Sequence, residues 1–382
     1  MSEAIVPFTV AFPDEDLADL ACRLGRTRWP ERETVDDWTQ GVPLSYARDL
    51  CRYWMEEYDW RVCESRLNSL PQFVTEIDGL DIHFIHVRSP EANALPVVLT
   101  HGWPGSVVEF LEVIGPLTDP VAHGGNAADA LHLVVPSLPG FGFSGKPSGT
   151  GWNRERIADA WVVLMGRLGY ERFGAQGGDW GASVSNHLAV RHPEHIAGIH
   201  LNLMSAGPPP GKTDFTAEEL SIIEAGRART EYHLNWECGY VHQQRTRPQT
   251  LGYGLTDSPA GQCAWILEKF KAWTDCDGDP VKAFGADKLL DNITLYWLTS
   301  SATSSARLYW EGQPAPFSNR VEVPAGASIF PKEIGTPSRY WAEMAYQDLR
   351  YWNELDKGGH FAAFEQPELF VQEVRNFFRL VR

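Results

Sequence analysis

The sequence predicts an α/β chain: a mostly parallel central sheet covered on both faces, an inserted helical block, and a helical extension at the N-terminus. Three observations carry this. Short, near-continuous apolar runs alternate with helical periodicity over residues 76–204, as strands buried on both faces require. The alternation stops at Pro208-Pro209-Pro210, and residues 211 to about 310 are helical and aromatic-rich. Strands then resume near Ala327–Phe330 and Tyr351–Leu355. The expected organisation is a wrapping segment over 1–75, core over 76–204, a helical lid over 205–315 and core again over 316–382.

In chain order, Pro13-Asp14-Glu15-Asp16 opens a helix with acids in its first turn, where free backbone N–H groups favour negative charge. Leu17, Leu20 and Leu24 line one side of it. A second helix is expected from Ser45 through Tyr53 into Glu57. Strands begin at Phe73, and Ile82, Phe84 and Ile85 lie in one of them. Pro96–Thr100 and Leu131–Val135 read as buried strands, with a helix from Val107 to Leu117 between them. Ile157, Trp161, Leu164 and Leu168 recur on one helical face. A strand over Glu171–Gln176, a helix over Ser183–Val190 and a strand over Ile196–Leu203 follow. The inserted block offers helices at Glu218–Ala228, Ala260–Trp273 and Lys288–Leu298. Leu369, Phe370, Val374 and Phe377 belong to a last amphipathic helix.

Composition removes several function classes. With 15 Trp, 12 Tyr and 18 Phe, the 382-residue chain carries too much aromatic surface to stay disordered. A net charge of −17 without any Lys/Arg run argues against nucleic acid or an anionic membrane as partner. The first 20 residues carry Glu3, Asp14, Glu15, Asp16 and Asp19, unlike a signal peptide, and no apolar run is long enough to span a bilayer. A cytoplasmic location is the expectation. Cys22, Cys51, Cys63, Cys238, Cys263 and Cys276 form no CxxC and no zinc-ligand spacing, so reduced thiols and no metal are expected.

Three motifs bear chemistry. Gly177-Gly178-Asp179-Trp180-Gly181-Ala182 follows a strand and precedes a helix. This is the layout of a nucleophile elbow, with Asp where Ser is usual. A glycine-rich turn with an ordinary Asp N-cap is the bland alternative. Thr100-His101-Gly102-Trp103-Pro104-Gly105-Ser106 follows a buried strand and can aim the Trp103 N–H, with that of Trp180, at an oxyanion. His101 is a second, weaker candidate for a base. Lys357-Gly358-Gly359-His360-Phe361-Ala362 suits a loop that carries an imidazole over the sheet edge. The acid that orients His360 should follow the preceding strand, which favours Glu333, with Asp348, Glu354 and Asp356 as rivals.

An Asp nucleophile points to displacement at saturated carbon. Attack by Ser there would leave an ether, whereas a carboxylate leaves an ester that an imidazole and an oxyanion hole can hydrolyse. A leaving halide needs N–H donors; a leaving epoxide oxygen needs an acid. Tyr240 and Tyr309 in the inserted block are suitable acids, since a phenol stays protonated at neutral pH. Tyr253 and Tyr296 lie in the same block, and any of the four could instead be a packed aromatic.

Nearly the whole chain resembles the microsomal-type epoxide hydrolases of the α/β-hydrolase fold. Pro7-Phe8 and Thr27-Arg28-Trp29-Pro30 resemble their N-terminal extension. His101-Gly102-Trp103-Pro104-Gly105-Ser106 is similar to their oxyanion loop, and Gly177-Gly178-Asp179-Trp180-Gly181 to their elbow. Thr246-Arg247-Pro248-Gln249-Thr250 and Asp257-Ser258-Pro259 are similar to their lid. Gly358-Gly359-His360-Phe361-Ala362-Ala363-Phe364-Glu365, the most specific string, is similar to their base loop. The resemblance implies an α/β-hydrolase fold with an inserted helical lid and an N-terminal helical extension. It implies hydrolysis of a small-molecule epoxide to a vicinal diol through an ester on Asp179, with no cofactor. His360 would be the base, Glu333 its acid, Tyr240 and Tyr309 the lid acids, and Trp103 and Trp180 the oxyanion hole. Trp236 and Glu237, just before Tyr240, would line the substrate pocket. No membrane anchor like that of the mammalian members is expected. Soluble bacterial members, some acting in enediyne antibiotic pathways, are the nearer resemblance, and the aromatic N-terminal segment could support a homodimer. A haloalkane or haloacid dehalogenase, or a non-catalytic binding protein on the same fold, is the alternative.

Overall fold

The computed structural model describes residues 3–209, 211–312 and 320–382 and, apart from residues 228–230, their side chains. Pro210 of the triple proline and the expected boundary at 315/316 lie outside the described residues.

Nine strands form one sheet among the described residues. They are β1 (Val6–Pro7), β2 (Gln72–Ile77), β3 (Leu80–Val87), β4 (Leu95–Thr100), β5 (Leu131–Pro136), β6 (Phe173–Gly177), β7 (Ile196–Leu201), β8 (Val321–Ile329) and β9 (Tyr346–Glu354). Their order is β1-β2-β3-β5-β4-β6-β7-β8-β9. The pairs from β1 to β5 through β3 are antiparallel; those from β5 to β9 are parallel. After β4 the chain steps to β5 on one side and then to β6 on the other, so the winding reverses between β4 and β6. Such a reversal opens a crevice at the carboxyl ends of the two strands. Register sharpens it: Thr100 lies opposite Gly177, and Gly177 opposite Leu201.

The parallel strands are apolar because both faces are covered: Val97, Val98, Leu133, Val134, Val135, Ile199 and Leu201 are all buried. The C-terminal helix Pro367–Phe378 lies close over one face. Its Phe377 ring occupies the space that a side chain at Gly326 would need.

Between Leu201 and Val321 the described chain is mostly helical, including Gly239–Thr246, Pro248–Asp257, Pro259–Trp273, Ala286–Leu298 and Ala302–Glu311. The N-terminal helices Asp14–Gly25, Leu44–Glu56 and Trp60–Asn68 grip this block. Three phenolic O–H groups donate across: Tyr46 to Asp279 (2.6 Å), Tyr53 to Asp287 (2.8 Å) and Tyr58 to Asp291 (2.8 Å). Arg23 adds an ion pair with Asp257 at 3.0 Å. The aromatic character of the first 75 residues thus serves partly to fasten the helical block.

Several elements depart from expectation. The helix expected over Val107–Leu117 is a 3₁₀ turn, Val107–Phe110, followed by the short helix Ile114–Thr118. Pro116 cannot donate to Glu112, which confines it to the first turn of the new helix. Helix Trp60–Asn68 carries only Trp60, Cys63 and Leu67 as buried residues, too sparse a stripe to be named in advance. β8 begins at Val321 rather than Ala327, past a proline, and its register shifts between Val321 and Pro324. The helix after the elbow begins at Asp179 itself rather than Ser183.

Candidate active site

Asp179 follows β6 after the single residue Gly178, with a left-handed backbone at φ +46. That conformation costs an L-residue about 1–2 kcal/mol and is tolerated best by Asn and Asp. It exists because the turn between strand and helix leaves no other course. A Cβ on Gly177 would collide with the Gly181 carbonyl group, and one on Gly181 with the Thr100 carbonyl oxygen. Gly181→Ala should therefore lower stability by about 1–3 kcal/mol, read as a shift in urea midpoint, since the obstacle is backbone rather than a movable side chain.

The loop after β4 meets this turn. The Trp103 N–H donates to Asp179 Oδ1 at 2.8 Å. Gly102 leaves the space that the Asp179 carboxylate fills. Helix Ala286–Leu298 clamps the loop. Asn292 Nδ2 donates to the Pro104 carbonyl (2.8 Å), Ser106 Oγ to Asn292 Oδ1 (2.7 Å) and Tyr296 O–H to the Gly105 carbonyl (2.9 Å). The Trp180 N–H stands in the first turn of helix Asp179–Arg191, where no intrahelical carbonyl can pair with it.

His360 lies between two carboxylates. Its Nε2 is 3.4 Å from Asp179 Oδ2, and its Nδ1 is 2.6 Å from Glu333 Oε1. Burial disfavours the imidazolium, but the charge of Glu333 and the contacts with Asp179 outweigh it and hold the His360 pKa well above the usual value. The base loop is fixed by bonds that the motif alone did not reveal. The His360 N–H donates to the Trp273 carbonyl (2.8 Å), the Phe361 N–H to Glu365 Oε1 (3.0 Å) and the Asp275 N–H to Glu365 Oε2 (2.9 Å).

The rival candidates fall elsewhere. Asp348 pairs with Arg350 at 2.7 Å, Glu354 accepts from the Trp352 indole, and Asp356 is exposed. His101 is buried with both ring nitrogens engaged, Nδ1 with the Gly102 carbonyl (3.0 Å) and Nε2 with the Leu138 N–H (3.1 Å). Burial drops its pKa to about 4, which suits a structural imidazole.

Tyr240 and Tyr309 form the wall contributed by the helical block. Tyr240 stacks on Trp103 with centroids 5.0 Å apart, and Tyr309 stands edge-on to Trp180 at 4.9 Å and to Tyr240 at 5.8 Å. The Tyr309 hydroxyl hydrogen-bonds with the Tyr240 hydroxyl and the Trp180 indole. Burial first, then the charge of Asp179 opposite Tyr240 and the neighbouring groups around Tyr309, push both phenols well above their usual pKa, so both remain O–H donors. Tyr253 is exposed, and Tyr296 serves the oxyanion loop.

The two expected pocket residues differ in exposure. Trp236 is 76 % exposed, on a π-helical turn over His233–Glu237 that follows a helix of the block. Glu237 on the same turn is only partly buried. Neither they nor Tyr240 and Tyr309 wall the small cavity at Asp179 and His360. The turn leaves Trp236 in solvent, whereas Tyr240, on the next helix, is buried. Reading along the chain missed Trp273, whose ring packs on His360 and Tyr240 (5.0 and 5.2 Å), and Glu109, a buried acid on that cavity. For Glu109 the available signal was one carboxylate inside the apolar run Val107-Val108-Glu109-Phe110. Among the described residues, no group of three or more His, Cys, Asp or Glu is arranged to hold a metal ion, and no helix is long and apolar enough to cross a membrane.

Comparison with known proteins agrees with this geometry. Residues 5–110 match the model of the epoxide hydrolase N terminus, and residues 96–223 that of the alpha/beta hydrolase fold. A protein of Stigmatella aurantiaca (strain DW4/3-1), provisionally named an epoxide hydrolase, is 55% identical over 380 residues, 99% of this chain and 86% of its own length. Epoxide hydrolase 1 of Oryctolagus cuniculus is 37% identical over 407 residues, 99% of this chain and 90% of its own length. The crystal structure of juvenile hormone epoxide hydrolase from the silkworm Bombyx mori superposes with a TM-score of 0.90 at 33% identity, covering 100% of this chain and 95% of that one. The chain belongs to the microsomal-type epoxide hydrolases, enzymes of the α/β-hydrolase fold.

Proposed function

We propose that the enzyme turns an epoxide into a vicinal diol in two steps, through an ester on Asp179. The observation that carries this is the setting of one carboxylate: Oδ1 held by the Trp103 N–H, Oδ2 beside His360, and two protonated tyrosines on the far wall. Oδ1 is the oxygen destined to be the ester carbonyl, which leaves Oδ2 to attack. Oδ2 bonds to an epoxide carbon as the C–O bond opposite breaks, and Tyr240 or Tyr309 gives its proton to the departing oxygen.

Alkylation changes the imidazole. While Asp179 is an anion, it helps keep His360 protonated. Once Asp179 is a neutral ester, that support is gone: His360 gives its proton to the tyrosinate left by the first step, and the neutral imidazole can then take a proton from water. The hydroxide adds to the ester carbonyl, with the N–H groups of Trp103 and Trp180 on the oxyanion. The acyl–oxygen bond then breaks, the imidazolium protonates the alkoxide, and the proton of the regenerated Asp179 carboxyl returns to His360. Glu333 keeps the ring oriented throughout.

The test addresses the step that separates epoxide opening from halide displacement. Tyr240→Phe and Tyr309→Phe should each slow alkylation by about 10–100-fold, and the double variant by about 10³-fold or more, in stopped-flow single turnovers. Unchanged epoxide turnover in the double variant, with halide released from a chloroalkane, would contradict the reading.

A further inference from the structure

Behind the Asp179–His360 pair lies a small cavity bounded by Asp179, His360, Glu109, Gln176, Asn202 and Thr100, among others. Tyr240 and Tyr309 are not among its walls, so it is separate from the face at which an epoxide oxygen would sit. Its volume open to water is about 20 Å³, room for one molecule.

Two acceptors meet there without partners among the described residues: Glu109 Oε1 and Gln176 Oε1. Both residues are deeply buried, Glu109 at 9% and Gln176 at 1% exposure. The rest of each side chain is committed. The Ser106 N–H donates to the Glu109 carboxyl, and Gln176 Nε2 donates to Asn202 Oδ1 at 2.6 Å. Gly105 is needed for this arrangement, because a Cβ there would occupy the place of Glu109 Oε1. Burial also pushes the Glu109 pKa up to about 8, so its carboxyl can both donate and accept at neutral pH.

Hydrolysis of an ester on Asp179 needs a water that reaches the carboxyl carbon while giving one hydrogen to Nε2 of His360. We propose that Glu109, with Gln176, is a positioning residue that holds this water in the cavity. The inference rests on the two-step reading above. The water hydrogen-bonds to Glu109 and Gln176, gives its other proton to His360, and its oxygen adds to the Asp179 carboxyl carbon. Epoxide and water then approach the same carboxylate from different sides, and neither need displace the other.

Rapid-quench single turnovers followed by intact-protein mass separate formation of the adduct from its decay. Glu109→Met should leave formation within about 3-fold of wild type and slow decay by about 10–100-fold, since displacing a reacting group by about 1 Å can lose 10²-fold in rate. Glu109→Gln, which can still hydrogen-bond to water, should recover most of the decay rate. Gln176→Met should slow decay in the same sense and decides the matter if Glu109→Met does not fold. The proposal is overturned if the folded Met variants keep the wild-type ratio of decay to formation, if both rates fall together with the unfolding temperature, or if Glu109→Gln is as slow as Glu109→Met. No adduct in any variant, wild type included, would instead remove the ester itself.

Discussion

Asp179→Ala is expected to abolish diol formation, by about 10⁴-fold or more, in a protein that still folds. No other carboxylate can substitute. Glu333 is engaged by His360 Nδ1 at 2.6 Å and by the Ile334 N–H at 2.7 Å, and Glu109 lies behind the pair, away from the tyrosines. The backbone argues that folding survives. The elbow is shaped by the close packing of Gly177, Gly181 and Thr100, none of which the substitution touches. Alanine is somewhat less at ease than aspartate at φ +46, which should shift stability by about 1 kcal/mol or less. Circular dichroism and thermal unfolding check the fold; product analysis checks the activity. Residual diol near the wild-type rate would show that Asp179 is not the nucleophile.

His360→Gln should divide the reaction. The nucleophile, the Trp103 N–H on its Oδ1 and both tyrosines remain, so the first step proceeds. An amide cannot take a proton from water, so the second step should slow by about 10³–10⁴-fold. One equivalent of epoxide would be consumed and turnover would stop, with the protein heavier by the mass of one epoxide and the added mass on the peptide carrying Asp179. Removing the cation beside Oδ2 also leaves the carboxylate a freer nucleophile, so alkylation need not slow. A variant that loses activity without gaining mass would mean that His360 takes part in the first step.

Much of this was legible in the sequence, for physical reasons specific to each part. Strands β4 and β5 announced themselves because parallel strands covered on both faces must be apolar nearly throughout. The elbow was legible because its tight turn admits almost nothing but small residues around Asp179. The base loop stood out through paired glycines ahead of a histidine. Glu333, though 27 positions from His360, could be chosen over nearer acids by its place after a strand.

The remainder depended on tertiary packing. The sequence around Trp236 and Tyr240 does not say which side of a π-helical turn faces a pocket, and the more conspicuous tryptophan is the one left in solvent. Glu109 becomes informative only when Gly105 is found to yield it space and the fold sets it on the cavity beside His360. β8 and β9 were shortened in the reading because Pro324 and the polar run around Asp348 obscure their first halves. The tyrosine–aspartate bonds between the N-terminal helices and the helical block pair residues more than 230 positions apart, as with Tyr46 and Asp279 at a separation of 233, and no local pattern encodes them.

The central claim is that the oxygen delivered to the product comes from the enzyme before it comes from water. One turnover with enzyme in excess, run in H₂¹⁸O, tests it most directly, with the proteolytic peptide carrying Asp179 and the released diol weighed separately. The account predicts heavy oxygen in the Asp179 carboxylate and an unlabelled diol. Heavy oxygen in the diol, with none in the peptide, would mean that water attacks the epoxide directly and would contradict it.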